Sequence, residues 1–381
     1  MSVPKILGHA ETLLETVAEA GRWRWSRLTA PLSIRCKSDL RGTRCHCPRG
    51  LKHHFVHSEG LREIADFVID YRSNVVNPAR GRVPIEYLTR FAGQLNRGNI
   101  IHLKADLLGE FAATVLPGLK EPVVLVTGDS DYAPLTDFSW LLDHPRIGHW
   151  FVQNADAAYR HSKLTPVPIG LDNPLYNKLE KRIGLAVDML ARRSAFDSTF
   201  SRNEAGDQAL LNRIIASGIN KPIHKNLKVL CTFHMNHKIA PDIAGIPSRI
   251  EAYSALVGNP LCHFPSRRLA QEACWRAHEN FAFQASPHGN GLDCFRTWES
   301  LALGTIPIVK KSPLDLLYED EELPVMIVES WHEVTPENLQ RWRDRFKKSF
   351  DEGLLERLSN SYWVRKIRAT ARTISTNKSV D

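Results

Sequence analysis

His288, Gly289, Gly291, Asp293, Arg296 and Glu299 fall in one short stretch and could act together on an anionic, hydroxylated ligand. The loop His288-Gly-Asn-Gly291 lets a backbone approach a ligand closely, and its glycines tolerate positive φ. Asp293 stands where it can cap or charge the first turn of a following helix. Arg296 and Glu299 are three residues apart and share a helix face. Backbone N–H groups, a guanidinium and a carboxylate thus reach one place. That set suits a phosphate beside a ring bearing hydroxyls, with arginine on the anion and glutamate on ribose or sugar hydroxyls. As a bare pattern, a glycine loop also occurs in α/β proteins without such a ligand, and an exposed Arg–Glu pair is worth only about 0.3 kcal/mol.

Two further groups could do chemistry. Thr127-Gly-Asp-Ser-Asp-Tyr132 follows a buried strand and offers Asp131 and Asp129 as general bases. In open α/β sheets, loops at the carboxyl ends of strands face the ligand crevice. The same carboxylates could simply cap the next turn. Cys36, Cys45, His46 and Cys47, with His53, His54 and His57 nearby, raise a metal question. Zinc ligands usually come in pairs spaced Cys-x2–4-Cys, and Cys-x-Cys is tighter, so no metal is expected. A basic, histidine-rich loop at the rim of a site fits better, and His54 or His57 could itself be a base near neutral pH.

The elements that must position these residues read as alternating strands and helices. Phe281–Ala285 is a buried strand, the helix after the glycine loop ends at Gly304, and Thr305–Val309 starts the next strand. In the N-terminal half, strands are expected at Leu32–Cys36, Asn99–Lys104, Pro122–Thr127, Trp150–Gln153 and Leu164–Gly170. A short helix is expected between the last two, and helices over 1–30 and Leu61–Tyr71. Leu227–Phe233 begins a second sheet, Ser248–Leu256 is its helix, and 336–372 reads as helical and basic. The alternation argues for doubly wound sheets. The turn-rich Gly170–Tyr176 divides an N-terminal domain, 1–170, from a C-terminal domain, 171–349. Residues 350–381 are expected to return to the first domain.

Length favours two domains, since 381 residues exceed what one small core accommodates. The net charge of +8 favours anionic partners. Nucleic acid is not expected: stacking needs aromatics among the basic runs, and only Trp23, Trp25 and Trp342 stand so. Seven cysteines, an odd number, do not form a disulfide framework and fit a reducing compartment, so a cytoplasmic location is expected. No apolar run reaches the ~18 residues of a membrane helix. Trp23 and Trp25, set among Arg22, Arg24 and Arg27, are expected to pack, with anchoring of the first helix or peripheral contact with a lipid as the alternatives.

Gly291-Leu-Asp-Cys-Phe-Arg-Thr-Trp-Glu-Ser-Leu-Ala-Leu-Gly-Thr-Ile-Pro-Ile-Val309 resembles the donor-site signature of exostosin-type glycosyltransferases. In that family a glycine loop precedes Phe-Arg-x-x-Glu-Ala-Leu and a Gly-x-x-Pro-Val turn. The likeness spans about 281–335, with Ser300 and Leu303 as mild departures. It implies a GT-B fold, two Rossmann-like domains facing a cleft, with the nucleotide-sugar on the C-terminal one. It also implies inverting transfer that needs no metal and no cofactor beyond the nucleotide-diphosphate sugar, onto a hydroxyl of a glycan or glycolipid. The family's arginine near the diphosphate matches Arg249, with His234, Asn236, His237 and Lys310 as further candidates around the phosphates. An epimerase or phosphorylase on the same fold, or a basic protein binding an anionic polymer, are the alternative readings.

Overall fold

The computed structural model describes residues 33–36, 54–70, 90–171, 209–217, 222–234 and 249–376. The expected helix over 1–30, Trp23, Trp25, Cys45, His46, Cys47, His53, Asn236 and His237 lie outside these residues.

Two sheets form, each from a run of strand and helix. The first holds β1 (Ser33–Cys36), β2 (Phe67–Asp70), β3 (Ile100–Lys104), β4 (Val123–Gly128), β5 (Ile147–Val152) and β6 (Leu164–Pro166), in that spatial order. β1 runs antiparallel to β2, and every other pairing is parallel. β4 is buried along its whole length, as an unbroken β-branched run must be when both faces are covered.

The second sheet holds β7 (Asn226–Leu230), β8 (Cys262–His263), β9 (Phe281–Ala285), β10 (Ile306–Lys310) and β11 (Met326–Val328), all parallel. Its order is β11-β10-β9-β7-β8. The chain steps outward from β7 to β8, then returns to the other side of β7 as β9. This reversal opens a crevice between the carboxyl ends of β7 and β9. The first sheet is sequential among the described strands, so the reversal expected of both occurs in one.

The helices that bear on the site are α1 (Ser58–Arg62), α2 (Leu108–Thr114), α3 (Arg249–Leu256), α4 (Gln271–Ala277), α5 (Phe295–Ala302), α6 (Asp315–Asp320), α7 (Pro336–Phe346) and α8 (Asn360–Thr376). α5 closes with Gly304 at φ 64°. The Thr305 N–H reaches back to Ser300 O at 2.9 Å, satisfying a carbonyl the helix would leave open. α8 buries Trp363, Ile367 and Ala371 at four-residue spacing against β4 and β5. A Cβ on Gly148 of β5 would lie 3.0 Å from Ile374, so that glycine gives the helix its seat. From α8, Tyr362 Oη and Lys366 Nζ donate to the buried Glu321 at the end of α6, so the helix touches both units. No helix among the described residues is long and apolar enough to cross a membrane.

Several expected elements differ. The helix over Leu61–Tyr71 is instead short α1 followed by β2, because Phe67-Val-Ile69 pairs with both β1 and β3. Long-range pairing here overrides the helical spacing. No helix joins β5 to β6: Asn154 leaves β5 at φ 55°, and the Asp156 carboxylate accepts the N–H groups of Leu135 and Thr136. β6 stops at Pro166, since Pro166 and Pro168 lack the N–H a ladder needs. Trp342 is a core residue packed edge-on to Phe283, not a stacking platform.

Candidate functional site

The crevice of the second sheet is built from two strand exits. Gln284 Nε2 donates to Thr232 Oγ1 at 3.0 Å and holds the β9 and β7 ends together. Ser286 Oγ and Thr297 Oγ1, 2.9 Å apart, fasten the loop after β9 to α5. Around this loop the structure gathers Arg249 and Arg296. From the start of α3, Arg249 Nε donates to His288 O at 2.9 Å and Nη1 to His234 O at 3.2 Å. From the first turn of α5, Arg296 Nη1 reaches Pro287 O at 3.5 Å. A guanidinium carries five N–H donors, so both arginines retain donors beyond these contacts.

Clustered positive charge dominates the electrostatics there. Burial lowers the pKa of Arg249, and the like charge of Arg296 lowers it further. His234 is lowered by burial first, then by Arg268, Arg296 and Arg249. Burial raises the Cys294 thiol although Arg296 and Arg249 oppose it. Two adjacent guanidinia repel each other, and a bound dianion relieves that repulsion.

The glycines work differently from expectation. Among the loop glycines neither Gly289 nor Gly291 has positive φ. They are required for space. A Cβ on Gly289 would meet Arg249 Nη2 at 2.9 Å, and one on Gly291 would meet Asn154 Oδ1 at 2.9 Å.

Other predicted residues take distinct places. His288 is buried, and its Nδ1 lies 3.0 Å from Gly289 O. Glu299 is buried and accepts from Gln271 Nε2 of α4 at 3.0 Å. Asp293 does not cap α5 from its N-cap position, which Cys294 occupies. Its buried carboxylate accepts Ile169 N–H at 2.7 Å, Cys294 N–H at 2.8 Å and Trp298 Nε1–H at 2.9 Å. Burial pushes its pKa up to about 6 despite these donors. It therefore joins the two units and is enclosed by protein donors. Lys310 pairs with Glu251 of α3, so its charge is balanced within the protein and ties β10 to α3.

On the first sheet, Asp129 and Asp131 follow β4. Asp129 has φ 54°, and its carboxylate lies 3.5 Å from Arg62 Nη1 and 4.0 Å from His102 Nε2. Lys104 Nζ donates to its carbonyl. Asp131, two residues on, is exposed. Of the alternative bases, His57 is buried with Nδ1 accepting Gly60 N–H at 3.3 Å, and His54 stacks edge-on against it. Among the described residues, no group of three or more His, Cys, Asp or Glu could hold a metal ion.

Sequence reasoning missed Asn154, Ile169 and Lys225. Asn154 stands two residues after β5 and is one of the few types that readily adopts the left-handed conformation, which is a weak signal. Lys225 is buried, donates to Leu303 O, Gly304 O and Thr305 Oγ1, and has its pKa lowered by burial to about 7. Nothing in its neighbourhood along the chain announces that.

The loops after β4, β5 and β9 meet, so the carboxyl ends of the two parallel sheets face one another. Two α/β units, one sheet parallel but for β1 and the other parallel throughout, thus meet at their carboxyl ends, the two-domain arrangement expected of a GT-B fold. No protein-family model matches the chain, and no curated protein matches it. Among solved structures it is similar to one described as "Trehalose-6-phosphate from E. coli bound with UDP-2-fluoro glucose". That alignment covers 91 % of this chain and 90 % of the other, at 8 % identity and a TM-score of 0.32.

Proposed function

We propose that this protein is an inverting glycosyltransferase that moves a sugar from a nucleotide-diphosphate sugar to a hydroxyl of a glycan or glycolipid. The observation that carries the reading is the convergence of Arg249 and Arg296 on the loop after β9, at the crevice where the second sheet reverses its order. When the glycosidic bond to the diphosphate breaks, negative charge grows on the leaving oxygen. The two guanidinia would stabilise it, and the proposed mechanism needs no metal. Glu299, one turn along α5 from Arg296, would exchange its bond with Gln271 for ribose or sugar hydroxyls. Asp131, exposed on the loop after β4, would take the proton from the acceptor hydroxyl as its oxygen attacks the anomeric carbon. Asp129 is the reserve, with its carboxylate already facing Arg62. The net charge of +8 favours approach of the anionic donor.

The test is a thermal-shift screen against UDP, GDP, CMP and dTDP sugars, followed by product analysis with and without acceptor. A ligand that binds the native state raises its apparent stability. Transfer that requires an acceptor supports the reading. A changed donor without acceptor would mark an epimerase, and the absence of any nucleotide-dependent shift would remove the reading.

A further inference from the structure

Asn154 touches neither proposed substrate group, yet both halves of its side-chain amide are committed. It is fully buried and leaves β5 in the left-handed conformation at φ 55°. Its Oδ1 accepts the Asp293 N–H at 2.8 Å, and its Nδ2 donates to Ser130 O at 2.8 Å. Ser130 stands between Asp129 and Asp131. Asp293 follows the glycine loop and precedes α5, which carries Arg296 and Glu299. One amide therefore spans the loop bearing the candidate bases and the loop bearing the donor-binding groups.

Its surroundings make the join specific. Turning the amide over would set Nδ2 against the Asp293 N–H and Oδ1 against the Ser130 carbonyl, losing both bonds. Gly291 closes around the side chain, with no room for a Cβ beside Oδ1. The Asp293 carboxylate extends the contact by accepting the Ile169 N–H of the first unit.

We infer that Asn154 is a positioning residue that sets the spacing between the acceptor-side loop Asp129–Asp131 and the donor-side loop Gly289–Asp293. The inference rests on the proposed transfer reaction for its kinetic consequence. Reacting atoms must be held about 3–3.5 Å apart, and a misplacement of about 1 Å costs on the order of a hundredfold in rate. A residue with this role acts on turnover while leaving donor binding to the arginines.

The test uses N154G and N154D in the full chain. Glycine adopts positive φ without strain, so N154G keeps the backbone and deletes both side-chain bonds. N154D keeps the acceptor for Asp293 N–H and replaces the donor to Ser130 by an oxygen. The measurements are kcat, donor KM, nucleotide affinity by calorimetry, and amide hydrogen exchange over 128–132 and 289–294. For N154G we expect nucleotide affinity and donor KM within about twofold of wild type, kcat reduced roughly 30- to 100-fold, and faster exchange in both loops together. For N154D we expect a smaller loss of kcat and faster exchange mainly at 128–132. If N154G does not fold, N154D carries the test through its own loop, and a kcat within about threefold of wild type or unchanged exchange at 128–132 then overturns the inference.

A kcat within about threefold of wild type, or faster exchange in one loop only for N154G, overturns the inference. So does a loss that appears only in nucleotide affinity. If the wild-type protein itself neither binds nor turns over a nucleotide-sugar, the transferase reading fails. The paired exchange response then decides the coupling of the loops alone.

Discussion

A Cβ on Gly289 would lie 2.9 Å from Nη2 of Arg249, and that guanidinium is held in place by the carbonyls of His288 and His234. The glycine is thus part of the arginine's seat. Gly289→Ala should displace the guanidinium rather than unfold the chain, because the far end of an arginine can swing where backbone cannot. We expect a stability change below about 1 kcal/mol and a loss of nucleotide affinity of about tenfold, the scale of one charge-assisted hydrogen bond. Calorimetry beside urea unfolding separates the two. Unchanged affinity would show that Arg249 plays no part in binding.

Arg296→Ala and Glu299→Ala should each lower affinity for the cognate nucleotide or its sugar by roughly one to three orders of magnitude. Arg249 and Arg296 repel each other, so the double variant should lose less than the sum of the single losses. Isothermal titration of the four proteins gives the coupling directly. Additive losses would mean the guanidinia do not share a ligand.

For Asp131→Asn we expect donor binding within about twofold of wild type and turnover reduced on the order of 10²- to 10⁴-fold, the range of general-base contributions. The Asp129→Asn variant serves as the comparison. Its carboxylate faces Arg62, and the same residue holds Lys104 through its carbonyl, so stability should fall as well. Near-normal turnover in Asp131→Asn would move the base to another residue.

Where local pattern and tertiary packing agree, the chain was legible. Phe281–Ala285 is a strand end to end, and Gly304 takes the positive φ its place after a helix demands. Arg249 and Arg296, 47 positions apart by their numbers, meet at one loop. What stayed hidden depends on contacts between distant segments. Phe67–Asp70 carries too few residues for periodicity to distinguish a strand from a helix, and only its neighbours β1 and β3 decide. Asp293 reads as a helix cap from spacing, yet its carboxylate meets Ile169, 124 residues away. Gly289 and Gly291 lack the positive φ their type suggests; the constraint visible on them is a neighbouring side chain, not a torsion angle.

His278 gives the protein a separable acid limit. Its ring is buried, and burial first, then the charges of Lys225 and Arg296, lower its pKa from the ordinary 6.5 to about 3. The native ring therefore stays neutral over a range in which the unfolded chain takes up a proton. Proton uptake by the unfolded state alone means stability falls as pH drops from 6.5 toward 3, by about 1.4 kcal/mol per pH unit from this group. His278→Phe fills similar volume and cannot be protonated. Between pH 6.5 and pH 5, urea unfolding should show wild type losing about 1.6 kcal/mol more than His278→Phe. Equal losses in the two proteins would mean that the ring is protonated in the native state as easily as in the unfolded one, and that its buried position does not govern its charge.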